Sequence, residues 1–257
     1  MALIKEVYNY REMLKNLVVR DLRTRYKESV LGFFWTLINP LIMLLIYSIA
    51  FKTIMRMDIE NYSIFLFSGL LPWLYHQTVI AGNTSIIVNN SGLIKKVYFP
   101  YEILPLSTTI AGAVNYLLCL IVLLVSMVYV GIPITINLVY FPIILLIQMI
   151  LILGMSMILS ALNVFFRDLE HIVSLLMMAW FYLTPIFYPL TMVPEKYSHF
   201  FYLNPMTHLE QAYRQIFYYG KAPEFTNLLM CFAFSVGFLL VGTILFNLLK
   251  KRFAEEL

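Results

Sequence analysis

Few side chains in this 257-residue chain are placed to make or break bonds. A glycosyl or phosphoryl transferase at a membrane face needs clustered carboxylates to hold a metal or act as a base. The connections around 83–102 and 167–171 offer only Glu102, Asp168 and Glu170. A phosphate-binding loop needs spaced glycines followed by a lysine. The nearest approach, Gly237 to Gly242-Thr243, lacks the lysine and lies in an apolar run, so it reads as helix packing. His76 stands beside Trp73 and Tyr75 in another apolar run. An ionisable group there is a functional candidate by default, although a neutral histidine hydrogen-bonded within a bundle is the plainer reading. His199 and His208 have no cysteine companions and do not make a zinc set. Cys119 and Cys231 fall inside apolar stretches, as small core residues do, and form no CxxC pair or disulfide framework. No metal site and no cofactor site is expected in this chain.

What remains is cations and aromatic rings, and both depend on the elements that carry them. The chain is 61% hydrophobic and only 12% charged, against roughly 25% charged for soluble domains. That composition predicts an all-α polytopic membrane protein. Residues 1–28 place Leu3, Val7, Tyr10, Leu14, Val18, Leu22 and Tyr26 three or four apart among seven Lys or Arg. Arg20, Arg23, Arg25 and Lys27 crowd its last turns. Such a helix lies in the membrane interface, its cations near anionic headgroups. This N-terminus has no apolar core of the kind a cleavable signal peptide carries. Leu31-Gly32 then supplies a bend, since glycine tolerates dihedrals that other residues do not.

Between Glu28 and Lys52 lie 23 uncharged residues, enough to cross about 30 Å of hydrocarbon as a helix. Pro40 should kink this first span and free the carbonyl of Thr36. A polar loop over 52–60 leads to a second span at 62–82 and a short amphipathic helix near 84–98. The 64 uncharged residues from 103 to 166 are too many for one helix and right for two, broken at Gly131-Ile132-Pro133. Those spans fall near 106–130 and 138–164. Arg167–His171 is a short charged connection, and 171–194 forms a fifth span broken late by Pro185 and Pro189. Residues 195–224 are too polar to span yet rich in aromatics, which prefer the headgroup level. They read as two short helices dipping back into the outer interface, one starting at Asn204-Pro205 and ending by Gly220. Arg214 on such a helix would snorkel. A sixth span at 226–249 stops at Lys250-Lys251-Arg252. The chain thus divides into 1–29, an interface helix; 30–194, spans one to five; 195–225, outer re-entrant helices; and 226–257, span six and tail. All four belong to one transmembrane domain.

Lys and Arg number thirteen on the side holding both termini and five on the other, which puts both termini in the cytoplasm.

The stretch Arg20-Asp21-Leu22, Arg25-Tyr26, Leu31-Gly32, Trp35 and Pro40 resembles the start of ABC-2 type permeases that export O-antigen, capsule or teichoic-acid polymers. Phe166-Arg167-Asp168 after the fourth span and Asn204-Pro205-Met206 with Arg214 are similar to that family's inner and outer motifs. The resemblance touches both ends and each internal loop. It implies a bacterial inner-membrane permease subunit that is not itself an enzyme. Two copies would pair with two copies of an ATP-binding subunit, which would hold ATP and Mg and hydrolyse it. Its cargo would be a polymer linked to undecaprenyl diphosphate. It also implies that the ATPase meets the loops at Ser91, Lys95, Lys96, Arg167, Asp168 and Glu170. An ABC-2 permease for a lipid, drug or other small substrate is the alternative. A membrane transferase ranks lower for want of carboxylates, and a secondary transporter would need mid-membrane carboxylates that are missing. No nucleic-acid partner is expected.

Two spans carry aromatic faces. Phe33, Leu37, Pro40, Leu44, Tyr47 and Phe51 step by three and four along the first, as do Met177, Trp180, Thr184 and Phe187 along the fifth. Sugar rings present C–H faces that lie flat on aromatic rings. Phe33, Tyr47, Phe51, Trp180 and Phe187 are therefore expected to line a channel, its belt at the outer half, although rings of this kind also face lipid or sit in an interfacial belt.

Overall fold

The computed structural model describes residues 8–24 and 32–257, the side chain of Phe33 apart. Among the described residues all regular structure is helical. The first helix, α1, covers Arg11–Thr24. Gly32 begins the next described segment with a φ of 44°, a region that favours glycine. A 3-10 turn, Gly32–Phe34, leads into α2, Trp35–Ser48, extended by a π-turn over Ile49–Ile54. Arg25, Lys27 and Leu31, expected at the interface helix and its bend, lie outside the described residues.

The second span is α3, Tyr62–Thr84, followed by two single turns, α4 at Ile86–Asn89 and α5 at Ser91–Ile94, where one helix over 84–98 is expected. Then come α6, Ile103–Val130, and α7, Phe141–Phe165. The fifth expected span differs most. Helix α8 covers only Leu169–Tyr182, and the chain then runs irregularly past Pro185 and Pro189. A residue before proline is disfavoured in the helical region, so Thr184-Pro185 marks a weak point at which the helix stops although hydropathy alone would continue it. Two short helices follow, α9 at Glu195–Tyr202 and α10 at Pro205–Phe217. Helix α11, Phe225–Leu249, passes through a 3-10 turn at Lys250–Arg252 into α12, Phe253–Glu256.

Five of these runs are long and apolar enough to cross a membrane: Trp35–Ile54, Tyr62–Thr84, Ile103–Val130, Ile136–Phe165 and Phe225–Glu256. Helix α3 is the central post. Its most apolar window is 78% buried, against 6% for the first span, because α2, α6, α7, α8 and α10 all pack against it. Helices α7 and α11 cross closely at Gly154 and Gly242. A Cβ on Gly154 would strike the backbone of Phe238 and Leu239, and one on Gly242 the carbonyl of Gly154. The glycine pattern in α11 is thus helix packing at Gly242, whereas Gly237 faces open space.

Side-chain amides fasten the interior. Asn83 donates to Pro105 O and to Ser156 Oγ, and Gln148 donates to Pro72 O while accepting from Tyr213. The carbonyl of Thr36, freed by Pro40, accepts from the Cys119 thiol at 3.3 Å.

The connections sort to two ends. At one, Arg20 donates to Asn90 Oδ1 and Lys250 to Glu102 Oε1, and Leu17, Ile87, Ile94, Phe99 and Phe253 share a small core. At the other, Tyr218 donates to the Glu60 carbonyl and Asn137 to that of Gly220.

Candidate functional site: a braced aromatic elbow

After α8 ends, residues 183–187 have no helix to satisfy their carbonyls, and buried carbonyls must find partners. Side chains from elsewhere supply nearly all of them. Asn204 Nδ2 donates to Leu183 O at 3.3 Å and to Thr184 Oγ1 at 3.0 Å. Arg214 donates to Pro185 O through both terminal nitrogens at 3.0 Å, and to Ile186 O at 3.1 Å. Tyr62 donates to Phe187 O at 3.1 Å. The Thr184 carbonyl takes the amide of Ile186.

The elbow holds Phe187 in place, 2% exposed. Its ring stacks on Phe51 at 4.6 Å and meets Tyr47 edge-on at 5.1 Å. Phe181 joins at 4.8 Å. Three of the rings expected along a channel therefore come together, drawn from two distant parts of the chain. Trp180 stands apart from that trio: its indole lies 5.9 Å from Trp73 and 5.0 Å from His76. Its Nε1 donates to Asn204 Oδ1 at 2.8 Å, and the same oxygen caps α10 by accepting from Met206 N.

Arg214 does not snorkel. It is 4% exposed, its guanidinium 3.8 Å above the Phe65 ring, with Glu210 Oε2 3.7 Å away. A cation over an aromatic face, with carbonyls in its plane, is stabilised without water. Helix α10 likewise packs into the bundle, with Tyr213 and Phe217 wholly buried. Helix α9 does expose aromatics, at Tyr197, Phe200 and Tyr202. Sequence reasoning missed Glu210 and Phe65. The four-residue step from Glu210 to Arg214 is a sequence signal for the first; nothing local marks Phe65.

Among the described residues His76 has no hydrogen-bond partner for either ring nitrogen; it is buried and boxed by Trp73 and Trp180. His208 bonds Asn227 Oδ1 at 3.0 Å and Tyr202 O at 2.8 Å.

At the opposite end, Lys95, Lys96, Arg167, Asp168 and Glu170 are exposed and Ser91 is half-buried. Tyr98, 89% exposed, and Phe166, 68% exposed, stand among them. Arg23 is exposed on α1, and Arg20 is tied to Asn90.

The bundle is that of a multi-pass helical membrane protein whose polar end-loops face opposite ways. The chain belongs to the ABC-2 type transporter family, whose pattern matches residues 12–218. It is 39% identical over 260 residues to the O-antigen export system permease protein RfbA of Myxococcus xanthus, covering 100% of both chains. It is 38% identical to a protein of the same name from Klebsiella pneumoniae, across 99% of each. Similarity to the polysialic acid transport protein KpsM of Escherichia coli is lower, 26% over 90% of this chain and 91% of that one.

Proposed function

We propose that this chain is the channel-forming subunit of an ATP-driven exporter that moves a lipid-linked polysaccharide of O-antigen type across the bacterial inner membrane. The observation that carries the reading is end-to-end similarity, 39% and 38% identity, to proteins named as O-antigen export permeases. In this reading the chain crosses six times. The five long helices make five crossings. Helix α8, 14 residues and about 21 Å long, makes the sixth together with the elbow after it. Helices α9 and α10 dip back from the outer side. The thirteen-to-five excess of Lys and Arg supports cytoplasmic termini.

Two copies enclose the path, and two copies of a separate ATP-binding subunit bind ATP and Mg and dock on the loops at 91–98 and 166–170. The ring cluster of Tyr47, Phe51 and Phe187 lies along the outer part of that path, as does Trp180, which stands apart from it. The cargo is a polymer on undecaprenyl diphosphate. Deleting the gene should strip the glycan from the cell surface and leave lipid-linked polymer at the inner leaflet. Restoration should require both this chain and its ATP-binding partner. Surface glycan unchanged by the deletion would defeat the reading.

A further inference from the structure

Hydrocarbon offers no partner to an exposed amide or hydroxyl, so polar side chains on membrane-crossing helices turn inward. In the five long helices that rule has one local exception. Away from their first and last turns, every described Asn, Gln, Ser and Thr is buried or half-buried except Asn39 on α2 and Thr78 on α3. These two are not scattered. Both line a single cleft of about 520 Å³ between α2, α3 and α6.

The cleft sits in the half of the bundle nearer α1: Asn39 is the fifth residue of the first span and Thr78 lies six residues before the end of α3. Thr36, one turn before Asn39, is bonded to Cys119 near the middle of α6. Val79, beside Thr78, packs on Gly112 of the same helix. Neither Asn39 nor Thr78 makes a side-chain hydrogen bond among the described residues. Against lipid, two such groups side by side would each carry an uncompensated desolvation cost. Their clustering therefore marks a face that meets something polar.

The lining says what kind of ligand fits. Asn39 and Thr78 bring an amide and a hydroxyl, and Trp35, 39% exposed, brings an open ring above the buried Tyr75 and Tyr116. Among the described residues no Lys, Arg, His, Asp or Glu lines the cleft. Its volume falls in the range of about 300–1,000 Å³ usual for small-ligand sites. Neutral hydrogen-bonding groups beside flat apolar faces match a neutral, hydroxyl-rich glycan. We infer that this cleft is a glycan-contacting wall of the translocation path, apart from the ring cluster at Phe187. The inference rests on the exporter reading above and adds where the polymer is held.

The test uses the full chain with its ATP-binding partner in cells, after Cys119→Ala and Cys231→Ala and a check that export persists. Asn39→Cys, Thr78→Cys and, as a lipid-facing control, Ile244→Cys are each treated with a charged methanethiosulfonate. Ile244 is 61% exposed on α11, away from the cleft. The expected result is reaction at Asn39→Cys and Thr78→Cys but not at Ile244→Cys, and slower reaction in cells making polymer than in cells blocked in glycan synthesis. No reaction at either cleft position would give the cleft to lipid. Equal rates with and without polymer would remove the glycan assignment. A disulfide between two Asn39→Cys chains would make the face a contact between copies. Each of those three results overturns the inference, yet none touches the deletion phenotype on which the exporter reading stands.

Discussion

The rings of Phe51 and Phe187 lie nearly parallel, 4.6 Å and 12° apart. One comes from the last turn of the first span and the other from an elbow with no helix of its own. An aromatic pair contributes about 0.5–1.5 kcal/mol beyond the area it buries. Here it also joins the first span to the segment that Arg214 and Asn204 hold.

Alanine at Tyr47, Phe51, Trp180 and Phe187 together is expected to lower polymer export or let the closed path leak ions, with protein level maintained. Export assays and bilayer conductance measure both. Since Phe51 and Phe187 share one contact, the two single alanines should not add. Unchanged export and conductance in the fourfold variant would assign these rings to packing alone.

Arg214→Gln removes the cation that holds two elbow carbonyls and leaves Glu210 buried beside Gly69 without its partner. Breaking a buried pair on one side costs about 3–5 kcal/mol. The unfolding midpoint in detergent should fall sharply for Arg214→Gln and less for Arg214→Gln with Glu210→Gln. Arg214→Lys should not rescue, because a single ammonium cannot keep the two-nitrogen grip on Pro185 O or lie flat over Phe65. Equal loss in the single and double variants would mean that Glu210 takes no part.

Lys250 donates to Glu102 at 2.6 Å across 148 residues, tying the end of the last span to the start of the third. Glu102 is 3% exposed, while the lysine side chain is 32% exposed. Truncating the lysine strands a buried carboxylate, at a cost of about 1–3 kcal/mol or more. Lys250→Ala should therefore destabilise more than Glu102→Gln in the same detergent assay. The opposite order would show that Glu102 reaches water without Lys250.

Cysteines at Ser91 and Glu170 should crosslink to a co-expressed ATP-binding subunit, whereas one at Asn204 should not. The first two belong to the end that gathers α1, Glu102 and Phe253, and Asn204 belongs to the other. Crosslinking at Asn204 with silence at the other two would invert the orientation.

Much of the architecture follows from local sequence. The 23 uncharged residues after Glu28, the break at Gly131-Ile132-Pro133 and the stop at Lys250-Lys251-Arg252 place five long helices within a few residues of where they lie. Apolar length and charge act residue by residue, so no partner need be known. The cap at Asn204 and the packing role of Gly242 are local in the same sense. Tertiary structure alone decided the rest. Whether Pro185 kinks a span or ends it depends on whether the freed carbonyls find donors. Here Asn204 and Arg214 of α10 and Tyr62 of α3 provide them. The burial of Arg214 follows from the same fact, because a guanidinium stays out of water only where carbonyls, a carboxylate and a ring already wait. Asn39 and Thr78 look like ordinary polar interruptions of apolar runs. Only the meeting of α2, α3 and α6 places them in one cleft, because side chains on different helices become neighbours through packing, which local periodicity does not encode.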